Sequence, residues 1–272
     1  MRDVWGGWRV VVLGLVAAAP IAAWSRAQPE VTGYAVLGLD AASIGPHARI
    51  ETGNVGVNRG TAFLGRGARV AGSVAADIVR LARNVRLGGL SCRILEGRQT
   101  ATGCGVLTSP LVDSDQLTLV QALAGGAEVS VPPRASTAPL APGAYGALVV
   151  GRHGLLLLGP GNYDVRSITL APHGNLLCTG RCRIRVQEGV LLKRGARLGP
   201  TAPATTPDVR VEIEGSGPAT AFRTQTRAQV MGTVYAPRGE VVLGGRGHYQ
   251  GVFVAATVKV ERGARVQAVG GF

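Results

Sequence analysis

Aromatic side chains are scarce in this chain, at 4% of its 272 residues. All three tryptophans, Trp5, Trp8 and Trp24, fall in an N-terminal stretch that reads as a leader, leaving five Tyr and four Phe. A sugar-binding cleft built on stacked aromatic platforms therefore has little to be built from. Lysine is almost missing too: it occurs at Lys193 and Lys259, so the formal charge of +13 is an arginine charge. Charged residues reach only 17% against 46% hydrophobic, which excludes a disordered chain. Acidic residues are few, with six Asp beyond the leader.

What is abundant is glycine, at 41 residues. Together with recurrent Val, Leu, Ile and Ala, it suits short strands and tight turns better than a helical bundle. The phrase GTVYA at 232–236 is answered by GVFVA at 251–255, nineteen residues later, and GNVGV at 53–57 stands at the same spacing from GSVAA at 72–76. In each, the residues two and four places after the glycine are apolar, the period-2 mark of a strand with one inward row. APGAYGALVV at 141–150 is echoed by GPGNYDVRSI at 159–168. HG recurs at 153–154 and 173–174, and GAR at 67–69, 195–197 and 263–265, with the variant HAR at 47–49.

A repeat this short cannot bury an apolar face alone, whereas stacked copies can. The expected fold is all-β, a right-handed parallel β-helix with coils of about 18–21 residues. About ten coils spaced ~4.8 Å apart would give a rod on the order of 50 Å long. Val234, Ala236, Val241, Phe253, Ala255 and Val260 belong to its inner wall, with Gly232 and Gly251 at corners.

Four segments follow. Residues 1–27 read as a signal peptide: Arg2 and Arg9, a short apolar core, then Ser25 and Ala27 before a cut. The alternative is an uncleaved anchor, although the apolar run is shorter than the roughly 20 residues of a membrane span. Residues 28–108 form N-terminal coils, 109–140 a Pro-rich loop or insertion, and 141–272 C-terminal coils. The insertion is expected to hold a short helix capped by Asp113 or Ser114 and ending near Gly125. Whether the two sets of coils are continuous stays open. Loss of the leader removes Arg2, Arg9, Arg26 and Asp3 and lowers the formal charge from +13 to +11.

Cys92, Cys104, Cys178 and Cys182 remain after export. An even count in an oxidising compartment points to two disulfides, and the local pairs Cys92–Cys104 and Cys178–Cys182 are the simplest of three connectivities. A metal site would need both pairs to converge and lacks the usual spacing. No cofactor is expected.

LAPGAYG at 140–146, LGPGNY at 158–163, VYAPRGEVVLGG at 234–245 and GVFVA at 251–255 resemble the repeats of exported bacterial parallel β-helix proteins. Many of those are hypothetical, and some are associated with pili or anchors. The coils at Gly53 and Gly72 are similar, more weakly, to those of bactofilins, the polymer-forming cytoskeletal proteins. Bactofilins lack such a leader, so cytoplasmic filaments are not implied. The resemblance implies a fold and an address, the periplasm, cell surface or exterior, and brings no catalytic residues.

The chemistry-bearing residues each have a plain reading and a sharper one. Asp113 and Asp115 are a solvated turn or helix cap, or an acidic pair. Glu212 and Glu214, sharing one strand face near Arg210, are an outward polar face balanced by arginine, or acid–base groups. His153 and His173, at the same point of consecutive coils, would stack about 5 Å apart as corner residues, or as a metal or acid–base pair. Arg238, Glu240, Arg246 and His248 face outward from the repeated phrase.

A structural or adhesive scaffold at the envelope or an appendage, self-associating or bound to envelope proteins, is the first reading. The alternative is a lyase or hydrolase acting on acidic polysaccharide, which would need carboxylates on adjacent coils or acidic Ca²⁺ ligands beside a basic residue. A third, ice binding, would want a ladder of Thr, and the chain offers Thr224 and Thr226. The arginines read as scattered, not clustered, which argues against nucleic acid.

Overall fold

The structure, a computed structural model, describes residues 33–97, 103–107, 111–112, 117–215 and 220–269. The leader, Asp113, Ser114 and Asp115 lie outside the described residues. Parallel strands stack into a β-solenoid of about 11 turns. Inner-row side chains line up from coil to coil. One column runs Tyr163, Ile184, Val211, Val234, Phe253, Val36, Val55 and Val74, each register partner of the next. All eight are fully buried. Alternation along each strand turns one side inward, and parallel pairing repeats that choice at every turn.

That column crosses a break in the chain order. Tyr34–Ile44, the first described strand, pairs on one side with Phe253–Val260 and on the other with Asn54–Val57 and Thr61–Leu64. Gly45 N donates to Val260 O at 2.6 Å, Arg49 N to Ala264 O at 2.8 Å and Gly263 N to Pro46 O at 3.1 Å. The coils of 129–269 therefore come first along the rod, and those of 34–97 stack on their far end. The two sets form one continuous solenoid. Each would otherwise expose an unpaired strand edge, and joining the two edges removes both.

Of the residues between the two sets, 111–112 and 117–128 lie as a strap on one outer wall. Val112 N donates to Asn58 Oδ1, Thr118 O accepts from Tyr235, Ala122 N donates to Glu214 and Leu123 N to Asp164. Beneath it Leu37, Tyr235, Val252 and Val254 form a second apolar cluster with Val112 and Val120, sealing the junction from outside.

The expected helix is absent from 117–128, which is irregular and extended. Val120 and Ala122 are buried while Leu119 and Leu123 face solvent, a period of 2 that lets the segment lie flat along the wall. The insertion is also shorter than expected. Val129–Val131 already pairs with Gly143–Val150, and Ser136 and Leu140 bridge the next coil, so 129–140 is a coil.

One corner repeats with the same backbone in every turn. Arg134, His153, His173, Gly195, Arg227, Arg246, Gly263, His47, Gly67 and Asn84 follow one another along the rod, all with φ between 55° and 69°. This left-handed conformation favours Gly and tolerates Asn and His, which explains why HG, HAR and GAR interchange.

Candidate functional site

The strap roofs a groove of about 680 Å³ on the wall that it crosses. Strands Gly161–Leu170, Cys182–Leu192, Val209–Ile213 and Thr233–Leu243 present two outward columns there. In one, Asp164, Arg185, Glu212 and Tyr235 are in register; in the other, Asn162, Arg183, Arg210 and Thr233. In the first column charge alternates from coil to coil, while in the second Arg183 and Arg210 are like-charged neighbours that both reach across to Glu212. Arg185 Nη2 lies 2.6 Å from Asp164 Oδ2, Arg183 Nη2 2.9 Å from Glu212 Oε2, and Arg210 Nε 2.5 Å from Glu212 Oε1.

Glu212, only 3% exposed, is thus held between two guanidiniums. A buried carboxylate is tolerated when paired in this way. Glu214 lies just beyond its strand and accepts the strap's Ala122 N–H at 3.2 Å. The two glutamates do not act on one another: one neutralises arginines and the other ties down the strap. Burial pushes the Tyr235 phenol up to about 12, with Arg210 opposing and Glu212 reinforcing the shift. Tyr235 is therefore a neutral donor, and its hydroxyl donates a hydrogen bond to Thr118 O at 2.9 Å. Asp208, at the groove's rim, is held below the usual carboxylate range by hydrogen bonds from the Thr205 backbone and hydroxyl, with Arg181 adding to them.

His153 and His173 stack at consecutive corners, ring centroids 5.0 Å apart and 3° from parallel. Desolvation lowers the His153 pKa below 6.5, helped by His173, Arg152 and Arg134. The folded state therefore binds fewer protons than the unfolded chain near pH 6.5. This group's contribution to stability is present above that pH and is lost as the pH falls through it. Replacing His173 with Asn, which keeps the corner's backbone, is expected to raise the His153 midpoint in a proton NMR titration. An unchanged midpoint would show that the stacked ring does not act on His153. Among the described residues no three His, Cys, Asp or Glu converge as metal ligands.

The outward residues of the repeated phrase do not form one site. Arg238 is exposed at the bend of Thr233–Leu243. Glu240 lies further along, 2.5 Å from Lys259 Nζ and bonded to Thr220. Arg246 is a corner residue with φ 55°. His248 begins the strand on the next wall, in register with Gln229 and Arg265. Thr224 turns inward and bonds to Tyr249 at 2.7 Å, so TQT is no outward threonine ladder.

Both local disulfides are present. Cys92–Cys104, with Cα atoms 5.1 Å apart, closes the last coil, and Cys178–Cys182, at 6.1 Å, spans the corner between two coils.

The reading of the arginines as scattered is overturned on a third wall, formed by Arg265–Gln267, Arg49–Thr52 and the first residues of Arg69–Leu81 and Arg86–Gly97. Arg265, Arg49, Arg69 and Arg86 are register partners in four consecutive coils. The signal was the last letter of GAR and HAR for Arg265, Arg69 and Arg49, and of NVR for Arg86, but only stacking the two chain ends brings Arg265 beside Arg49.

No family model matches the chain, and no curated protein matches it. Among solved structures it is similar to the crystal structure of an ice binding protein from an Antarctic bacterium Flavobacteriaceae, at 11% identity over 87% of this chain and 82% of that one, with a TM-score of 0.35.

Proposed function

We propose that this protein is an exported, non-catalytic β-helix scaffold with a structural or adhesive role at the cell envelope or an appendage. The observation that supports this best is the commitment of the acidic groups in and beside the groove, whose own lining carboxylates are Glu212 and Asp208, the latter bonded to Thr205. Glu212 is locked between Arg183 and Arg210, Asp164 pairs with Arg185, and Glu214 holds the strap. A general acid or base needs an oxygen free to exchange a proton with substrate. The export half of the reading is supported by two disulfides, which persist in oxidising compartments. No helix among the described residues is long and apolar enough to cross a membrane. Growth of the rod end to end is disfavoured by Pro132, Pro133 and Pro139 in the coil at one end, since proline offers no backbone donor to a new strand. Adhesion would then use the walls.

A second reading, a carbohydrate-active enzyme, draws on one observation: Glu212 shares a groove with Arg181, Arg183, Arg185 and Arg210. The deciding experiment incubates the protein with polygalacturonate, alginate and hyaluronate and follows reducing ends and unsaturated products. No product above background is expected. Turnover that disappears in Glu212→Gln would establish the enzyme and end the scaffold reading.

A further inference from the structure

The third wall carries charge that the fold itself leaves uncompensated. Arg49, Arg69 and Arg86 are exposed, and among the described residues none of them has a carboxylate partner. Arg265, at the same register, reaches Glu51 only at 3.9 Å, and Glu51 also takes a hydrogen bond from Gln267. Strands of neighbouring coils stand about 4.8 Å apart, and like charges placed directly opposite one another destabilise a sheet. Beside them the next outward positions are Glu51, Ala71 and Gly88; the two small residues leave an open trough of about 430 Å³ between Arg69 and Arg86, while Glu51, engaged by Arg265 and Gln267, lines its end at Arg49. An anion running along that trough would relieve the repulsion at every step.

We propose that this arginine ladder docks a linear acidic polysaccharide, with the carboxylates on one side of the polymer meeting guanidiniums along the ladder. Each Arg offers a planar fork of donors that matches a carboxylate in a bidentate way. The coil spacing of about 4.8 Å is close to the advance of one sugar unit, so an extended polyuronate lies along the ladder without bending and presents to it the carboxylates that turn to that side. A nucleic acid duplex fits less well, because its phosphates follow a helical path while the ladder is straight. Single strands are disfavoured as well: no aromatic ring lines the trough on which a base could stack. The proposal rests on the scaffold reading in one respect: the polymer is held and not cut.

The test uses the full chain and polygalacturonate, with neutral dextran and a DNA duplex alongside, at low and physiological salt. The ladder variant is Arg49→Gln/Arg69→Gln/Arg86→Gln. The control, Arg59→Gln/Arg223→Gln/Arg238→Gln, removes the same charge from exposed positions elsewhere. Urea midpoints show that both variants fold. Wild type is expected to bind polygalacturonate and not dextran. The ladder variant should weaken this by about tenfold or more, as expected of several charge-assisted contacts, while the control stays within about threefold. Equal losses in both variants would reduce the effect to net charge and overturn the proposal. So would absence of polygalacturonate binding at low salt, or duplex DNA bound as tightly through the same arginines. Product release during these incubations would overturn the scaffold reading alone, because the affinity comparison between variants still reports on the ladder.

Discussion

Gly251→Ala is expected to destabilise the protein by about 3 kcal/mol or more, beyond the effect of removing any surface ion pair. Gly251 has φ 132°, a conformation open in practice to glycine. A Cβ placed there would sit 2.1 Å from the carbonyl oxygen of Gly232, the equivalent corner one coil away. That oxygen belongs to backbone held between coils, where Gly232 N bonds to Gln250 O and Gly251 N to Gln267 O, so it cannot step aside. Gly263→Asn is the informative control. Gly263 lies at the left-handed corner with φ 69°, a Cβ there meets nothing nearer than Arg246 Cγ at 3.7 Å, and Asn84 fills the same corner elsewhere. Its expected cost is under about 1 kcal/mol, since asparagine tolerates that backbone. Urea denaturation of the two variants separates the cases. Equal losses would mean that the two corners do not differ as described.

Phe253→Ala is the second large effect, with an expected loss of about 3–5 kcal/mol. The ring is fully buried, meets Tyr249 edge-on with centroids 6.0 Å apart, and stands in the inner column between Val234 and Val36. Its place makes the consequence directional. A solenoid is stabilised mainly by contacts between neighbouring coils, so a cavity at the junction weakens the coupling of 34–97 to 129–269 most. Amide hydrogen exchange should therefore speed up in Tyr34–Ile44 and Phe253–Val260 more than in Gly161–Leu170. A uniform change along the chain would count against the junction as the point where the two sets of coils meet.

The legibility of this fold in its sequence varies with the range of the interaction. GTVYA and GVFVA announced their strands because alternation along a strand is local, and Val234, Ala236, Phe253 and Ala255 are all inside. HG and GAR announced a corner because backbone conformation restricts the residues that can occupy it. The segment around Leu117 to Leu123 misled because an apolar stretch read without its surroundings fits a helix as readily as a strap, and only the wall beneath it selects a period of 2. The balance of Glu212 by Arg210 is legible in the sequence, since the two share one strand face, but its burial and the different role of Glu214 are not. Their separate fates depend on Arg183, contributed by the preceding coil, and on Ala122, contributed by the strap.

By itself, then, the sequence determined the coil, its inward rows, its corners and the two short disulfides, all of which follow from contacts within about one repeat. The tertiary structure alone decided the order in which coils stack, the course of the strap and the alignment of Arg265 with Arg49. The junction joins residues as distant as Gln267 and Glu51, separated by 216 positions yet bonded at 2.6 Å. No local preference encodes such a pairing. It arises because two exposed strand edges of one solenoid are more stable against each other than against water.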